Sequence, residues 1–426
     1  MYIRDIIEKK RRKKELTEDE IRFYIFSYFK EEISEAQAAA LMTAMHIYGL
    51  SENEMIYMIK AVAETGEELE FYRLSNKITD ITSLGGTSDK IILMLICILH
   101  SLGVTSSKVI GRELGMEDRL ICINGYNLED NIEHFKQSLK KEKIGILKSI
   151  KNLAPVENKL YKLRNDIACN NDMQLIAISI MSQKIALGFS NIFFEITYGE
   201  NAYVKTLADA KLLSKYLVNI GRKLMRNVGC CVTELNKPVG KTFGNIIELK
   251  EIYDSLNGNI PKDMEERILE FGSNILCTAD ICKDAYKNKR MIKDVIYNGQ
   301  ALKSFEILIN SQGGDINILK EDIKSKNVIP VTSTYAGYIS KIDINKLRTL
   351  SKYLKSIRTI ETDKLDIGAG IVFNKKVGDC IKKGGILAYI YTNSNTKIQK
   401  AVEQTREIFK VSDKKIKKTP NIAFKI

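Results

Sequence analysis

Histidine is scarce in this chain. Three residues (46, 100, 134) are scattered through 426, too few and too dispersed for a histidine-based metal centre. The eight cysteines (97, 122, 169, 230, 231, 277, 282, 380) form no C-x-x-C pair, so the zinc spacings that join Cys to Cys or His are absent. Most lie within apolar runs, as expected of reduced, buried thiols in a reducing compartment. The longest apolar run, Ile91 to Leu99, is too short to cross a bilayer. No apolar segment follows the basic residues near the N-terminus, which argues against a secretory signal. No internal repeat or low-complexity segment stands out. These absences point to a cytoplasmic protein without a membrane partner.

What is present is a basic chain long enough for two or three cores. Net charge is +13, with 44% hydrophobic and 28% charged residues, a globular composition. The densest basic run, Lys9-Lys10-Arg11-Arg12-Lys13-Lys14, could serve a polyanion. It sits in a helical pattern with Ile6, Ile7 and Leu16 on the apolar side, so a solvated helix face is the expectation and nucleic acid is not an expected partner. Thr17-x-x-Glu20, Ser34-x-x-Gln37 and Ser51-x-x-Glu54 are capping boxes, each followed by apolar residues at helical spacing. From about residue 104, strand-like runs such as Ser107–Ile110 and Asn191–Ile196 alternate with helical patterns such as Leu207 to Val228, the signature of an α/β sheet domain. From Asn327 to Ile390 short strands with glycine punctuation take over, and Val377-Gly378-Asp379 with Lys383-Gly384-Gly385 resembles the hairpin of barrel-sandwich domains. No lysine there has a recognisable attachment motif, so a structural lobe is expected rather than a carrier.

The segment Ile81-Thr82-Ser83-Leu84-Gly85-Gly86-Thr87-Ser88-Asp89-Lys90 carries the most chemical information. Two glycines between hydroxyl residues, opening into an apolar helix, can aim backbone N–H groups at an anion, or can simply be a loop-to-helix turn. Its surroundings are specific. Leu160-Tyr161-Lys162-Leu163-Arg164-Asn165-Asp166, Ile178-Ser179-Ile180-Met181-Ser182-Gln183-Lys184, Lys205-Thr206-Leu207-Ala208-Asp209-Ala210-Lys211 and Lys375-Lys376-Val377-Gly378-Asp379 follow in order. Together they resemble the pyrimidine-nucleoside phosphorylase family, which includes the thymidine phosphorylases, from Met1 to about residue 412.

The resemblance implies an α/β protein: a small all-α domain, a large α/β domain and a C-terminal barrel-sandwich-like α+β lobe. The expected boundaries are 1–68 with 158–188 for the helical domain, 69–157 with 189–325 for the α/β domain, and 326–426 for the lobe. A homodimer through the Ala/Met-rich helical face is also implied. So is reversible phosphorolysis of pyrimidine nucleosides to base and pentose 1-phosphate, without a cofactor. Its phosphate loop reads Lys-His-Ser-Thr-Gly-Gly-Val-Gly-Asp-Lys; here Ile81 replaces the lysine, Thr82 the histidine that donates a proton to the base, and Leu84 the threonine. A threonine hydroxyl is a poor general acid. Ser83 is retained, and Lys108 matches a phosphate-contacting lysine whose partner serine is Ile110. The family's Thr-Gly-Gly-Thr segment has no counterpart after Gly111-Arg112-Glu113-Leu114-Gly115. Phosphate binding is therefore expected to be weak or absent. On the base side Arg164 and Ser179 match the residues that hold a pyrimidine, and Gln183 replaces a lysine; Gln can hydrogen-bond a base but cannot stabilise its anion by charge. The same residues also suit local packing. The family's monovalent-cation (K+) site maps onto Ser88, Lys90 and Glu248, with a surface helix carboxylate as the alternative for Glu248. Two functions follow: a phosphorylase with lost or strongly reduced activity, or a non-catalytic pyrimidine- or nucleoside-binding homologue with a regulatory or structural role.

Overall fold

A computed structural model describes the chain apart from residues 68, 70, 72–77, 86–88, 111–114, 129–130, 149–152, 201, 361 and 417–419. It opens with α1 (Ile3–Arg11), α2 (Glu18–Phe29), α3 (Glu35–Tyr48) and α4 (Glu52–Ala63). All three capping boxes form: Thr17, Ser34 and Ser51 each accept from the N3 amide, and Glu20, Gln37 and Glu54 reach back. Each satisfies two N–H groups that a helix start otherwise leaves unpaired. The basic run departs from expectation at one place. Lys10 is buried, its Nζ 2.6 and 2.8 Å from the Glu54 carboxylate, which also accepts the Leu16 amide.

The sheet domain follows with β1 (Thr79–Leu84), α5 (Asp89–Ser101), β2 (Ser106–Val109), α6 (Gly115–Leu120), α7 (Ile132–Lys141) and β3 (Ile144–Leu147). Next, α8 (Pro155–Asp166) and α9 (Met173–Leu187) return to the helical domain, where α9 packs on α4 and α8 on α2. Then come β4 (Asn191–Tyr198), α10 (Leu207–Lys223), β5 (Asn227–Glu234) and β6 (Thr242–Phe243). Four helices follow: α11 (Asn245–Leu256), α12 (Lys262–Thr278), α13 (Ala285–Tyr297) and α14 (Gln300–Ser311). The lobe comprises β7 (Asn327–Thr332), β8 (Gly337–Ile342), α15 (Ile344–Leu354), β9 (Gly370–Phe373), β10 (Cys380–Ile381), β11 (Ile386–Thr392), α16 (Ile398–Ile408) and β12 (Phe409–Ser412). The last strand is β13 (Phe424–Lys425).

The main sheet runs β13-β5-β4-β1-β2-β3, parallel except for antiparallel β13. Strands β2, β3 and β4 are buried on both faces; β3 and β4 are accordingly mostly apolar, whereas β2 buries Ser106, Ser107 and Lys108. Helix α5 is buried from Lys90 to Leu99, against α12 and α14 on one side and the sheet on the other. A helix apolar all round needs such a wrapping. None of the described helices is long and apolar enough to cross a membrane.

Three elements lie across the expected boundaries. The second helical segment begins at Pro155, since proline at the helix start fixes the first turn there. Strand β6 lies in the lobe's sheet, order β6-β9-β11-β7, although it precedes residue 326; β13 lies in the main sheet, although it follows. The two bodies thus exchange strands. The cysteines are all free, with 97, 122, 169, 230 and 231 buried, 277 and 282 partly so and 380 exposed.

Candidate functional site

Ligands of open parallel sheets bind beyond the carboxyl ends of the strands, where β1 releases the glycine turn. Gly85 has φ +133°, and a Cβ there would fall 1.6 Å from Thr197 Oγ1. No other residue fits this crossing of β1 past β4 without displacing Thr197, whose hydroxyl donates to the Leu84 carbonyl at 2.7 Å. Gly86, Thr87 and Ser88 lie outside the described residues.

The two described hydroxyls of the motif, Thr82 and Ser83, are turned inward. Thr82 donates to Asp80 Oδ2 at 2.9 Å, and Lys108 Nζ lies 3.5 Å from Thr82 Oγ1. The same carboxylate takes Lys184 Nζ at 2.6 Å and the Val109 amide at 3.2 Å. Burial pushes the Asp80 carboxyl up, but the Lys184 and Lys108 ammoniums with the hydrogen bonds from Lys184 and Thr82 outweigh it and hold the group below its usual range. Ser83 donates to Glu195 Oε2 at 2.8 Å, while Thr233 and Arg267 donate to Oε1 at 2.8 and 3.2 Å. Ile81, at the position of the family lysine, is wholly buried in the sheet-domain core.

No imidazole among the described residues replaces the missing acid. His46 on α3 contacts Asp172, and His100 lies between Ser304 and the Glu142 carbonyl at the far end of α5, about 16 Å of helix from Asp89. His134 is exposed on α7.

The three predicted base-side residues do come together on α8 and α9. Arg164 is buried, donating from Nη1 to the Leu175 carbonyl at 2.9 Å and from Nη2 to the Tyr203 hydroxyl at 3.3 Å. Its guanidinium lies 5.2 Å from the Tyr161 ring centroid. Ser179 and Gln183, one turn apart, share one acceptor: Ser179 donates to Glu157 Oε1 and Gln183 Nε2 to Oε2 at 3.0 Å. Beneath them is a cavity of about 30 Å³ lined by Met42, Met58, Val62, Glu157, Arg164 and Ser179. That is room for roughly one water, not for a pyrimidine; Tyr203, which Arg164 contacts, is 40% exposed. A wider groove of about 540 Å³ lies between α12 and residues Asn421–Lys425; none of the predicted residues lines it.

Sequence reasoning missed Glu157, Tyr203 and Asp80. Glu157 carries no local pattern and is visible only through partners 22 and 26 positions away, and the ion pair of Asp80 with Lys184 spans 104. The signal for Tyr203 is an aromatic just past a Gly-containing strand exit.

Of the two readings of Glu248, the surface-carboxylate one is corrected. Glu248 is 1% exposed, not a surface carboxylate. Its Oε2 accepts from Arg119 Nε at 2.5 Å and its Oε1 from the Gly244 amide at 3.3 Å. Arg119 also donates to Asp89 Oδ2 at 2.9 Å, so a guanidinium supplies the positive charge between α5, α6 and α11. Lys90 is turned to Glu251 and the Thr242 carbonyl, at 2.8 and 2.7 Å; Ser88 lies outside the described residues. Among the described residues no three His, Cys, Asp or Glu side chains cluster as a metal site.

The lobe touches this region twice. Arg348 Nη2 donates to the Gly85 carbonyl at 3.2 Å. Arg358 clasps α6, its amide and Nε donating to Asp118 and its Nη2 lying 3.1 Å from Glu117.

The helical bundle leads into the parallel-sheet domain, and residues 4–66 match the "Glycosyl transferase family, helical bundle domain". The anthranilate phosphoribosyltransferase of Thermus thermophilus shares the fold, with a TM-score of 0.55 over 74% of this chain and 100% of that one at 14% identity. Residues 338–412 match the "Pyrimidine nucleoside phosphorylase C-terminal domain". The pyrimidine-nucleoside phosphorylase of Staphylococcus epidermidis is 34% identical over 401 residues, 92% of this chain and 93% of that one. That of Geobacillus stearothermophilus is 34% identical over 400 residues, 92% of each. The chain belongs to the pyrimidine-nucleoside phosphorylase family.

Proposed function

We propose that this chain binds a pyrimidine base or nucleoside and has lost, or strongly reduced, the phosphorolysis that its relatives' name denotes. One observation carries the reading: Thr82, where the resemblance places the proton donor, gives its hydrogen to Asp80 and has no imidazole beside it among the described residues. A departing pyrimidine anion would meet neither an acid nor the charge of the lysine that Gln183 replaces. Ser83 is likewise engaged with Glu195 and Ile81 belongs to the core, which supports weak phosphate binding. Arg164 spends two of its five N–H donors on Leu175 and Tyr203, its Nε–H is buried without a partner, and Glu157 orients Ser179 and Gln183. These features support retention of a base site. The protein acts in the cytoplasm as a homodimer, through the exposed side of α3 and its neighbours.

The test compares purified protein with the Staphylococcus epidermidis relative on uridine, deoxyuridine and thymidine. Loss of a single electrostatic contributor typically costs about 10²–10³ in rate, so base release should be at least about a thousandfold slower here. Calorimetry with uridine and uracil supplies the other arm, with affinity expected between roughly millimolar and tens of micromolar. Robust phosphate-dependent base release overturns the loss of activity. No pyrimidine binding at millimolar concentration overturns the base site.

A further inference from the structure

The face shared by α8 and α9 holds hydrogen-bonding groups that the chain itself does not use. Ser179 and Gln183 are half-buried. Among the described residues Ser179 Oγ accepts no hydrogen bond, and Gln183 keeps its Oε1 and one Nε2 hydrogen. The Arg164 Nε–H is buried without a partner, and Arg164 lines the same small cavity as Ser179 and Glu157. Polar groups in this state cost free energy unless water or a ligand completes them.

Which ligand can complete them is decided by Glu157. It is 2% exposed, in the first turn of α8 and on the face that carries Arg164 two turns later. A carboxylate accepts and has no hydrogen to give. Its Oε1 therefore takes the single hydrogen of Ser179, and its Oε2 one of the two on Gln183 Nε2. The consequences for the two side chains differ. Ser179 has spent its only donor and presents lone pairs alone. Gln183, its amide nitrogen held inward, still offers one N–H and its carbonyl oxygen. Arg164, held by Leu175 and Tyr203, has donors only.

A ring with an N–H between two carbonyls, an imide, meets all three residues. One carbonyl accepts from Arg164, the ring N–H donates to Ser179, and the other carbonyl accepts the remaining Gln183 N–H. A cytosine ring has a bare nitrogen where the imide has its N–H. Its lone pair would face those of Ser179, whose hydroxyl cannot turn without abandoning Glu157. We propose that Glu157 determines the base selectivity of this face, reserving Ser179 as an acceptor so that an imide ring is taken and a cytosine ring refused. The inference rests on the base-site reading above and adds to it the residue that discriminates. The same carboxylate opposes negative charge growing on a bound ring, so selectivity and slow base release share one cause.

Calorimetric titrations of the full chain with uridine, cytidine and 3-methyluridine compare the parent, Glu157→Gln and Ser179→Ala. The parent should bind uridine at least about tenfold more tightly than cytidine, because the mismatched ring leaves polar groups unpaired. In Glu157→Gln the new amide accepts through one oxygen and brings hydrogens of its own, which frees the Ser179 hydroxyl to donate outward. The uridine-to-cytidine ratio should then fall to within about threefold, through tighter cytidine binding. 3-Methyluridine should stay weak in both proteins, since its methyl group obstructs the N–H position, and this separates a reversed hydrogen bond from a loosened pocket. Ser179→Ala should close the gap by weakening uridine. A merely structural role for Glu157 would lower both affinities together and leave their ratio unmoved. Equal parent affinities for uridine and cytidine overturn the proposal, as does a ratio unchanged in Glu157→Gln; either result leaves the base site standing. Failure of every nucleoside to bind at millimolar concentration removes the base site itself, and this selectivity with it.

Discussion

Replacing Lys184 by methionine isolates one charge at the junction of the helical and sheet domains. Asp80 is completely buried, and Lys184 reaches it from α9 at 2.6 Å. Methionine keeps much of the side-chain volume, so the change is mainly electrostatic. Removing one partner of a buried pair typically costs about 3–5 kcal/mol, because the other charge stays buried. Here the Thr82 and Val109 hydrogen bonds survive and the Lys108 ammonium still acts on the carboxylate, so the lower end, about 3 kcal/mol at neutral pH, is expected. The pH dependence is more diagnostic. In the parent, the Asp80 carboxyl is held below its ordinary 3.8; its contribution is present above the unfolded value and is lost as pH falls through the folded one. In Lys184→Met, burial is opposed by much less, and the folded pKa rises above the unfolded one. The sign then reverses: protonation relieves the buried charge, and the variant's deficit narrows as pH falls from about 7 toward 4.5. Urea unfolding at both pH values, with Asp80→Asn/Lys184→Met as the neutral pair, measures it. A deficit under about 1 kcal/mol, or one that does not shrink on acidification, refutes the argument.

Three other outcomes are expected. Gly85→Ala should lose about 2–4 kcal/mol of stability through positive-φ strain and the collision with Thr197, with part recovered in Gly85→Ala/Thr197→Ala; unchanged denaturation midpoints would show that the turn relaxes freely. Glu248→Gln should cost about 2–4 kcal/mol in chemical denaturation by weakening the hold on buried Arg119, and exchanging sodium for potassium should leave the parent's melting temperature unchanged; a rise of several degrees in potassium would show that Arg119 does not replace a bound cation. Ala40→Arg, on the exposed side of α3, should shift light scattering from dimer to monomer, and a persistent dimer would move the interface elsewhere. Met45 is only 1% exposed, so arginine there tests the core rather than assembly.

Local physics is legible in the sequence and long-range charge pairing is not. The capping boxes at Thr17, Ser34 and Ser51 close within three residues, so the sequence announces them. The run Ile91–Leu99 reads as buried because all of it is, and β4 is recognisable as a largely apolar run between turns. The helical stretch from Leu207 reads longer than it is: α10 ends at Lys223 and the chain has become β5 by Asn227, where the local apolar content serves either element. Lys10 reads as solvated because Glu54 is 44 positions away. Arg119 with Glu248 and Arg348 with Gly85 are separated by 129 and 263 positions, beyond any pattern in one sequence. Arg164, Ser179 and Gln183 are found through family resemblance, while Glu157, which orients two of them, carries no motif.

The exchange of strands between the main sheet and the lobe also sets an order of events during synthesis. Strand β5 exposes its outer edge until Phe424 and Lys425 pair with Val232 and Cys231. Roughly 190 residues separate Glu234 from Phe424, so at about 5–20 residues per second that edge stays open for about 10–40 s on every ribosome. An unpaired sheet edge is a template for any other extended chain. The nascent protein is thus most vulnerable to mispairing while its lobe is being made, and delivery of the closing strand ends that interval.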